Sequence, residues 1–293
     1  MFIINEGIIL LGDLFMINIA VIGLGLMGGS LVKALNGYNV WALDTNKEAV
    51  DNALKDKYIQ KGSSDYSNIE EMFSWAHIIM ICTLPSIALD IINKYSSLIT
   101  DDKILSDFCG VKTDIFNAVK TKKYVSLHTM AGKEKGGYNN SSESLFKNSN
   151  AIIIANDNAN KEDIKKIEDL ALNIGCKNII VSTEKEHDKM IAFTSQLMHI
   201  IACSIVNHKD FLASLGFEGN SLGDHTRVGT IDANMWSELF ARNSEYLSLS
   251  LGEYIKRLED FQNALQSKDR EKLRELMLSS NSIKEKWNNF KSK

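Results

Sequence analysis

The feature that most constrains this chain is Ile17-Asn-Ile-Ala-Val-Ile22 followed at once by Gly23-Leu24-Gly25-Leu26-Met27-Gly28. A β-branched run that stops at glycine reads as a buried strand. The spaced glycines then predict a tight turn opening directly into a helix. Gly23 permits the turn, Gly25 lets a pyrophosphate approach the backbone, and Gly28 lets the helix pack close to the strand. The free amides and positive end of the helix favour an anion. Leu24, Leu26 and Met27 lie within the same loop and share the site. Asp44 closes a second strand, 21 residues after Gly23, where its carboxylate can accept hydrogen bonds from adenosine ribose hydroxyls. A 2′-phosphate would sit against that charge. Thr45 and Asn46 follow, and Lys47 is the only nearby cation, so NAD is favoured over NADP. The bland alternative is a glycine-rich turn in an α/β protein that binds no nucleotide.

From residue 17 onward, strand-like and helix-like stretches alternate. Strands are expected at 17–22, 39–43, 77–82, 103–106, 124–127, 151–155 and 178–181. Helices are expected at 27–36, 46–57, 86–98, 111–121 and 160–174. This alternation predicts a parallel, doubly wound α/β sheet of Rossmann type with helices on both faces. After Thr183 the pattern becomes wholly helical: one long apolar-faced stretch from Glu184 to His208, then 236–251, 253–266 and 268–290. Residues 1–184 are therefore expected to form a dinucleotide-binding domain and 185–293 an all-α domain for dimerisation and substrate. Residues 1–15, apolar and acidic before Met16, read either as an extra strand or as an upstream start.

Charge and cysteines narrow the class. A net charge of −4 and the lack of a basic patch argue against nucleic acid as a partner. Cys82, Cys109, Cys176 and Cys203 are too far apart for a CxxC metal or redox motif, so no metal is expected and a reducing cytoplasm fits. The first lysine is Lys33, which leaves no basic region for a signal peptide. The apolar stretch 190–206 carries Thr194, Ser195, Gln196, His199 and Ser204, a composition for a buried helix rather than a membrane span. The apolar face at 184–208, with Ile191, Leu197, Met198, Ile201 and Ile205, predicts a homodimer. Lysines number 28 and arginines five, the first being Arg227. In such a chain an arginine is expected where its planar fork is needed.

Two further places could carry chemistry. Cys82-Thr83-Leu84-Pro85 follows the strand at 77–82, where the edge of such a sheet borders the cofactor; Cys82 there reads as packing. His128 follows the strand at 124–127. Beyond a carboxyl strand end it could take a proton from a substrate hydroxyl. Taken alone, it could equally be a structural loop histidine.

The glycine motif, Asp107-Phe-Cys-Gly110-Val-Lys112, His128-Thr-Met-Ala-Gly-Lys-Glu134, Glu186-His-Asp188 with Ser195-Gln-Leu-Met-His199, and Asp224-His-Thr-Arg227 before Met235-Trp236 stand in one order. In that order the chain resembles the prephenate dehydrogenases over roughly residues 16–245. The resemblance implies a Rossmann domain followed by a helical dimerisation domain. It implies NAD-dependent oxidative decarboxylation of prephenate to 4-hydroxyphenylpyruvate in tyrosine biosynthesis. With no chorismate mutase domain before the Rossmann unit and no regulatory domain after the helices, the sequence reads as a monofunctional core enzyme. Hydride would leave ring C4 while His128 accepts the hydroxyl proton, and loss of CO2 would aromatise the ring. Arg227 would pair a substrate carboxylate, with His199 facing the cleft, Trp236 walling the pocket and Glu134 gating it. His187 and Asp188 read as caps of the long helix. The family's usual serine is Gly110 here, its usual proline after the histidine is Thr129, and Gln196 and Met198 also depart from the pattern. An arogenate-preferring dehydrogenase shares these motifs. Two other readings remain: a β-hydroxyacid dehydrogenase using Lys185 or Lys189, and an NAD-binding protein without turnover.

Overall fold

The structure, a computed structural model, describes residues 16–291. The expectations for residues 1–15 lie outside the described residues. The first of two units ends at Asn243. It runs β1 (Ile17–Ile22), α1 (Leu26–Ala34), β2 (Tyr38–Leu43), α2 (Lys47–Lys55), β3 (Lys61–Ser63), α3 (Ile69–Trp75), β4 (Ile78–Ile81) and α4 (Pro85–Tyr95). It continues through β5 (Ile104–Asp107), α5 (Thr113–Ala118), β6 (Val125–His128), β7 (Asn150–Ala155), α6 (Lys161–Asn173) and β8 (Asn178–Val181). Then come α7 (Glu184–Ile191), α8 (Leu197–Val206), α9 (Asn220–Thr226) and α10 (Ala233–Arg242).

Five strands pair in parallel in the order β3-β2-β1-β4-β5. Successive side chains of β1 point to opposite faces, so each face is filled from one register. Ile19 and Val21 pack with Leu31, Val40 and Met80 on one side. Ala20 and Ile22 pack with Leu43, Phe73 and Ile79 on the other. The register sets Ile22 beside Ile81, and Ile81 beside Asp107. The carboxyl ends of β1, β4 and β5 are thereby level, where ligands bind in such folds.

The expected parallel arrangement needs one correction. β6, β7 and β8 form a second sheet in which β6 runs antiparallel to β7. A parallel return needs a crossover, usually a helix. Between β6 and β7 the chain makes only a three-residue 3-10 turn, Tyr138–Asn140, so it doubles back instead. A parallel bridge between Leu105 and Tyr124 keeps β6 beside β5. β3 and α3 were not expected from the sequence; β3 is three residues long and holds no apolar side chain.

Glu184–Val206 is one helical run interrupted by a π-helical segment, Ala192–Gln196. It is long and apolar enough to cross a membrane by length and composition, with a mean hydropathy of 1.4. It is less buried than its sequence suggests. Met190, Phe193 and Met198 are exposed, whereas Ile191 and Leu197, expected on an outward dimer face, are buried within the protomer. The second unit, residues 244–293, contains α11 (Ser244–Gln266) and α12 (Arg270–Lys291). The two pack on each other, and Asp269 caps α12 by accepting from the Lys272 amide at 2.9 Å. α11 runs through Gly252, where a break had been expected.

Candidate active site

The loop between β1 and α1 is shaped as the glycine spacing demands. Gly23 has φ +96°, a conformation an L side chain rarely adopts, and a Cβ there would lie 2.9 Å from the Cys82 carbonyl oxygen. A Cβ on Gly28 would sit 1.8 Å from the Gly23 carbonyl oxygen. A Cβ on Gly25 would meet nothing within 4 Å. The first two glycines are therefore required by the protein itself. The third borders open space. Gly25 caps α1 without a side-chain bond, and the first turn holds no acidic residue, so Leu26 and Met27 open a helix end suited to an anion.

Asp44 lies just past β2. Its Oδ2 accepts from the Leu24 amide at 2.5 Å and its Oδ1 from the Asn46 amide at 2.7 Å. That ties the carboxylate to the glycine loop, with Thr45 exposed beside it. Cys82 follows β4 and donates its amide to Ile22 at 2.7 Å. Burial, with Asp107 nearby, pushes its thiol far above the usual range, which keeps it protonated and fits packing rather than chemistry. The Thr83 methyl lies against Gly23, and Leu84 leads into Pro85 at the start of α4. The residues thus form a cradle that fits a dinucleotide, with room for phosphates at Gly25 and an acceptor at Asp44.

His128 ends β6 and is partly exposed. Its Nδ1 lies 2.7 Å from Nε2 of His187, and Nδ1 of His187 lies 2.8 Å from Asp188 Oδ1. This corrects the reading of His187 and Asp188 as helix caps. Thr183 performs the capping, accepting from the Glu186 amide, while His187 and Asp188 are buried and face the sheet. Asp188 also accepts from the Lys112 amide (2.8 Å), the Thr113 amide (2.9 Å) and Thr113 Oγ1 (2.7 Å). Lys112 is itself fully buried, with Nζ 2.7 Å from Asp107 Oδ1, and Tyr124 donates its hydroxyl to the same carboxylate. Burial first, then His187 and Lys112, hold the His128 pKa well below its ordinary value. Burial also lowers that of His187, against the pull of Asp188. Burial disfavours an ionised Asp188, but the bonds from His187 and Thr113 prevail and lower its pKa.

The other expected site residues form two contacts. Arg227 Nη1 lies 2.7 Å from Glu134 Oε1, both side chains being exposed, so the loop leaving His128 reaches the segment after α9. The His199 and Trp236 rings lie 3.8 Å apart, and His199 donates from Nδ1 to the Val228 carbonyl at 2.9 Å, next to Arg227. A Cβ on Gly110 would sit 3.5 Å from Leu239 Cδ2, an ordinary contact. Leu239 shares α10 with Trp236, and its carbonyl accepts from buried Gln196. Glu238 of α10 accepts from the Ser86 amide (2.6 Å) and Ser86 Oγ (3.0 Å) at the start of α4. Arg242 joins Glu238 to Asp114 at 2.7 and 2.6 Å. Sequence reasoning missed this clamp, which has no local signature. Lys189 is exposed on α7, as is Lys185.

A glycine cradle at level strand ends, an acid beyond the second strand and a histidine at a further strand end define a dinucleotide-dependent oxidoreductase with an appended helical region. The model for the nucleotide-binding domain of prephenate dehydrogenase matches residues 27–180, and that for its dimerization domain matches residues 183–279. The chain belongs to the prephenate dehydrogenase family. It is 25% identical to a cyclohexadienyl dehydrogenase of Zymomonas mobilis over 267 residues, covering 86% of this chain and 89% of that one. It is 26% identical to a prephenate dehydrogenase of Bacillus subtilis over 267 residues, covering 86% and 71%. The prephenate dehydrogenase of A. aeolicus, solved with hydroxyphenyl propionate and NAD+, has the same fold: TM-score 0.80, 23% identity, 94% and 98% covered.

Proposed function

We propose that this chain carries out NAD-dependent oxidative decarboxylation of prephenate to 4-hydroxyphenylpyruvate, with His128 as proton acceptor. The observation that carries this reading is His128 itself. It stands at a strand end, partly open, with its hydrogen bond made through Nδ1, which leaves Nε2 for a substrate hydroxyl. When bound, NAD would accept the hydride from ring C4. Gly23, Leu24, Gly25, Leu26, Met27 and Gly28 would hold its pyrophosphate, Asp44 and Thr45 its adenosine ribose, and Cys82, Thr83 and Leu84 the sheet edge beside it. Asp44 favours NAD over NADP by its charge.

Arg227 would pair a substrate carboxylate through its bidentate fork, exchanging Glu134 for the ligand. His199 and Trp236 would wall the ring, and Gly110 would leave space before Leu239. The Glu134 carboxylate also matches an ammonium group, which supports arogenate as a second substrate. The exposed Met190, Phe193 and Met198 support a homodimer through the helical region, as do Leu249, Ile255 and Ile283 in the second unit. Four free cysteines support a cytoplasmic setting. The test is NADH absorbance with prephenate and arogenate side by side, repeated with His128→Asn. Turnover of either substrate, cut about a hundredfold or more in kcat by the substitution, is expected. An inert wild-type protein or a fully active variant overturns the reading.

A further inference from the structure

The chain from His128 through His187 to Asp188 has a direction. Asp188 accepts three bonds from Lys112 and Thr113, so as an ionised carboxylate it can offer only an acceptor to His187. The proton on His187 must therefore sit on Nδ1, 2.8 Å from Asp188 Oδ1. A neutral imidazole carries one N–H, so Nε2 of His187 is an acceptor. Across the 2.7 Å contact, His128 Nδ1 must then be the donor. That leaves the lone pair of His128 on Nε2, the nitrogen not engaged among the described residues. Gly110 supplies no side-chain atom to this arrangement.

We propose that His187 and Asp188 are positioning residues, which lock His128 into the tautomer able to receive a proton at Nε2 and share the charge that then develops. When Nε2 takes the hydroxyl proton, the O–H bond breaks and the N–H bond forms. The resulting imidazolium keeps its Nδ1–H bond to His187, whose polarisation is supported by the Asp188 anion two hydrogen bonds away. Buried Asn243 braces the pair, donating to the Asp188 carbonyl (2.9 Å) and to Gln196 Oε1 (2.7 Å). This orients the helix turn that carries His187.

The inference rests on His128 being the proton acceptor, and the test separates the two. Nitrogen-15 NMR of histidine-labelled protein reads the tautomer without turnover. Above the titration of His128, its Nδ1 is expected to be protonated and its Nε2 bare. His187→Leu should abolish that preference. It should lower kcat about 10–100-fold with KM little changed. His187→Gln, which keeps an acceptor for His128 Nδ1–H, should restore both the tautomer and most of kcat. A wild-type His128 protonated on Nε2 overturns the proposal, as does a His187→Leu variant with unchanged tautomer and kcat. If His128→Asn retains full kcat, the proton-acceptor reading fails instead, whatever the tautomer.

Discussion

Two glycines of the cofactor loop should fail in different ways. Gly28→Ala places a Cβ 1.8 Å from the Gly23 carbonyl oxygen, where a carbon needs about 3.5 Å. The obstacle is backbone, so α1 must move away from β1, and that face of α1 is pinned by buried Leu31 and Val32. Overpacking of this kind costs about 1–3 kcal/mol, and an immovable partner puts it near the upper end. At about 2–4 °C per kcal/mol, Tm should fall by about 6–12 °C. Gly25→Ala meets nothing within 4 Å and keeps φ −69°. It should cost only the poorer helix cap, about 0.5–1 kcal/mol. The added methyl instead occupies space the pyrophosphate needs. Thermal unfolding with and without NAD separates the cases. At a hundred times Kd the cofactor contributes about 2.7 kcal/mol and raises the wild-type Tm. Gly25→Ala should lose most of that increment while its unliganded Tm stays close to wild type. Gly28→Ala should lose both. A Gly25→Ala protein that binds NAD normally, or a Gly28→Ala protein with wild-type Tm, refutes the reasoning.

Asp44→Ala should narrow the preference for NAD over NADP, measured as the ratio of kcat/KM values, since it removes the charge facing a 2′-phosphate. Only a neutral imidazole can accept a proton, and the His128 pKa is depressed by burial, His187 and Lys112. The acid limb of kcat should accordingly fall below the ordinary histidine value of about 6.5, and a limb at or above it would contradict the site. Arg227→Ala should raise KM about tenfold or more with a smaller effect on kcat, and Arg227→Lys should recover only part, because an ammonium lacks the paired donors. Light scattering should give twice the monomer mass at micromolar concentration; a stable monomer rejects the dimer.

The nucleotide cradle was legible because most of its constraints are local. A strand, a turn with positive φ and a helix start occupy twelve consecutive residues, from Ile17 to Gly28; Gly28 answers to Gly23 in that span, Gly23 to the adjacent strand end, and Gly25 borders open space. The alternation of apolar runs likewise exposed most strands of the parallel sheet. It missed β3, where Lys61-Gly-Ser63 pairs with β2 and leaves no apolar pattern. It also predicted parallel strands throughout, and the antiparallel pairing of β7 with β6 appeared only with the return of the chain after His128. His187 and Asp188 mark the deeper limit. Read along the helix, polar residues in a first turn are caps. Their actual partners are His128, 59 residues away, and Lys112 and Thr113, 76 and 75 residues away. Burial makes those bonds necessary, since an unpaired carboxylate beneath the helix would be costly. Which distant groups meet it is decided by how α7 packs beside the ends of β5 and β6, and no local pattern in the chain encodes that.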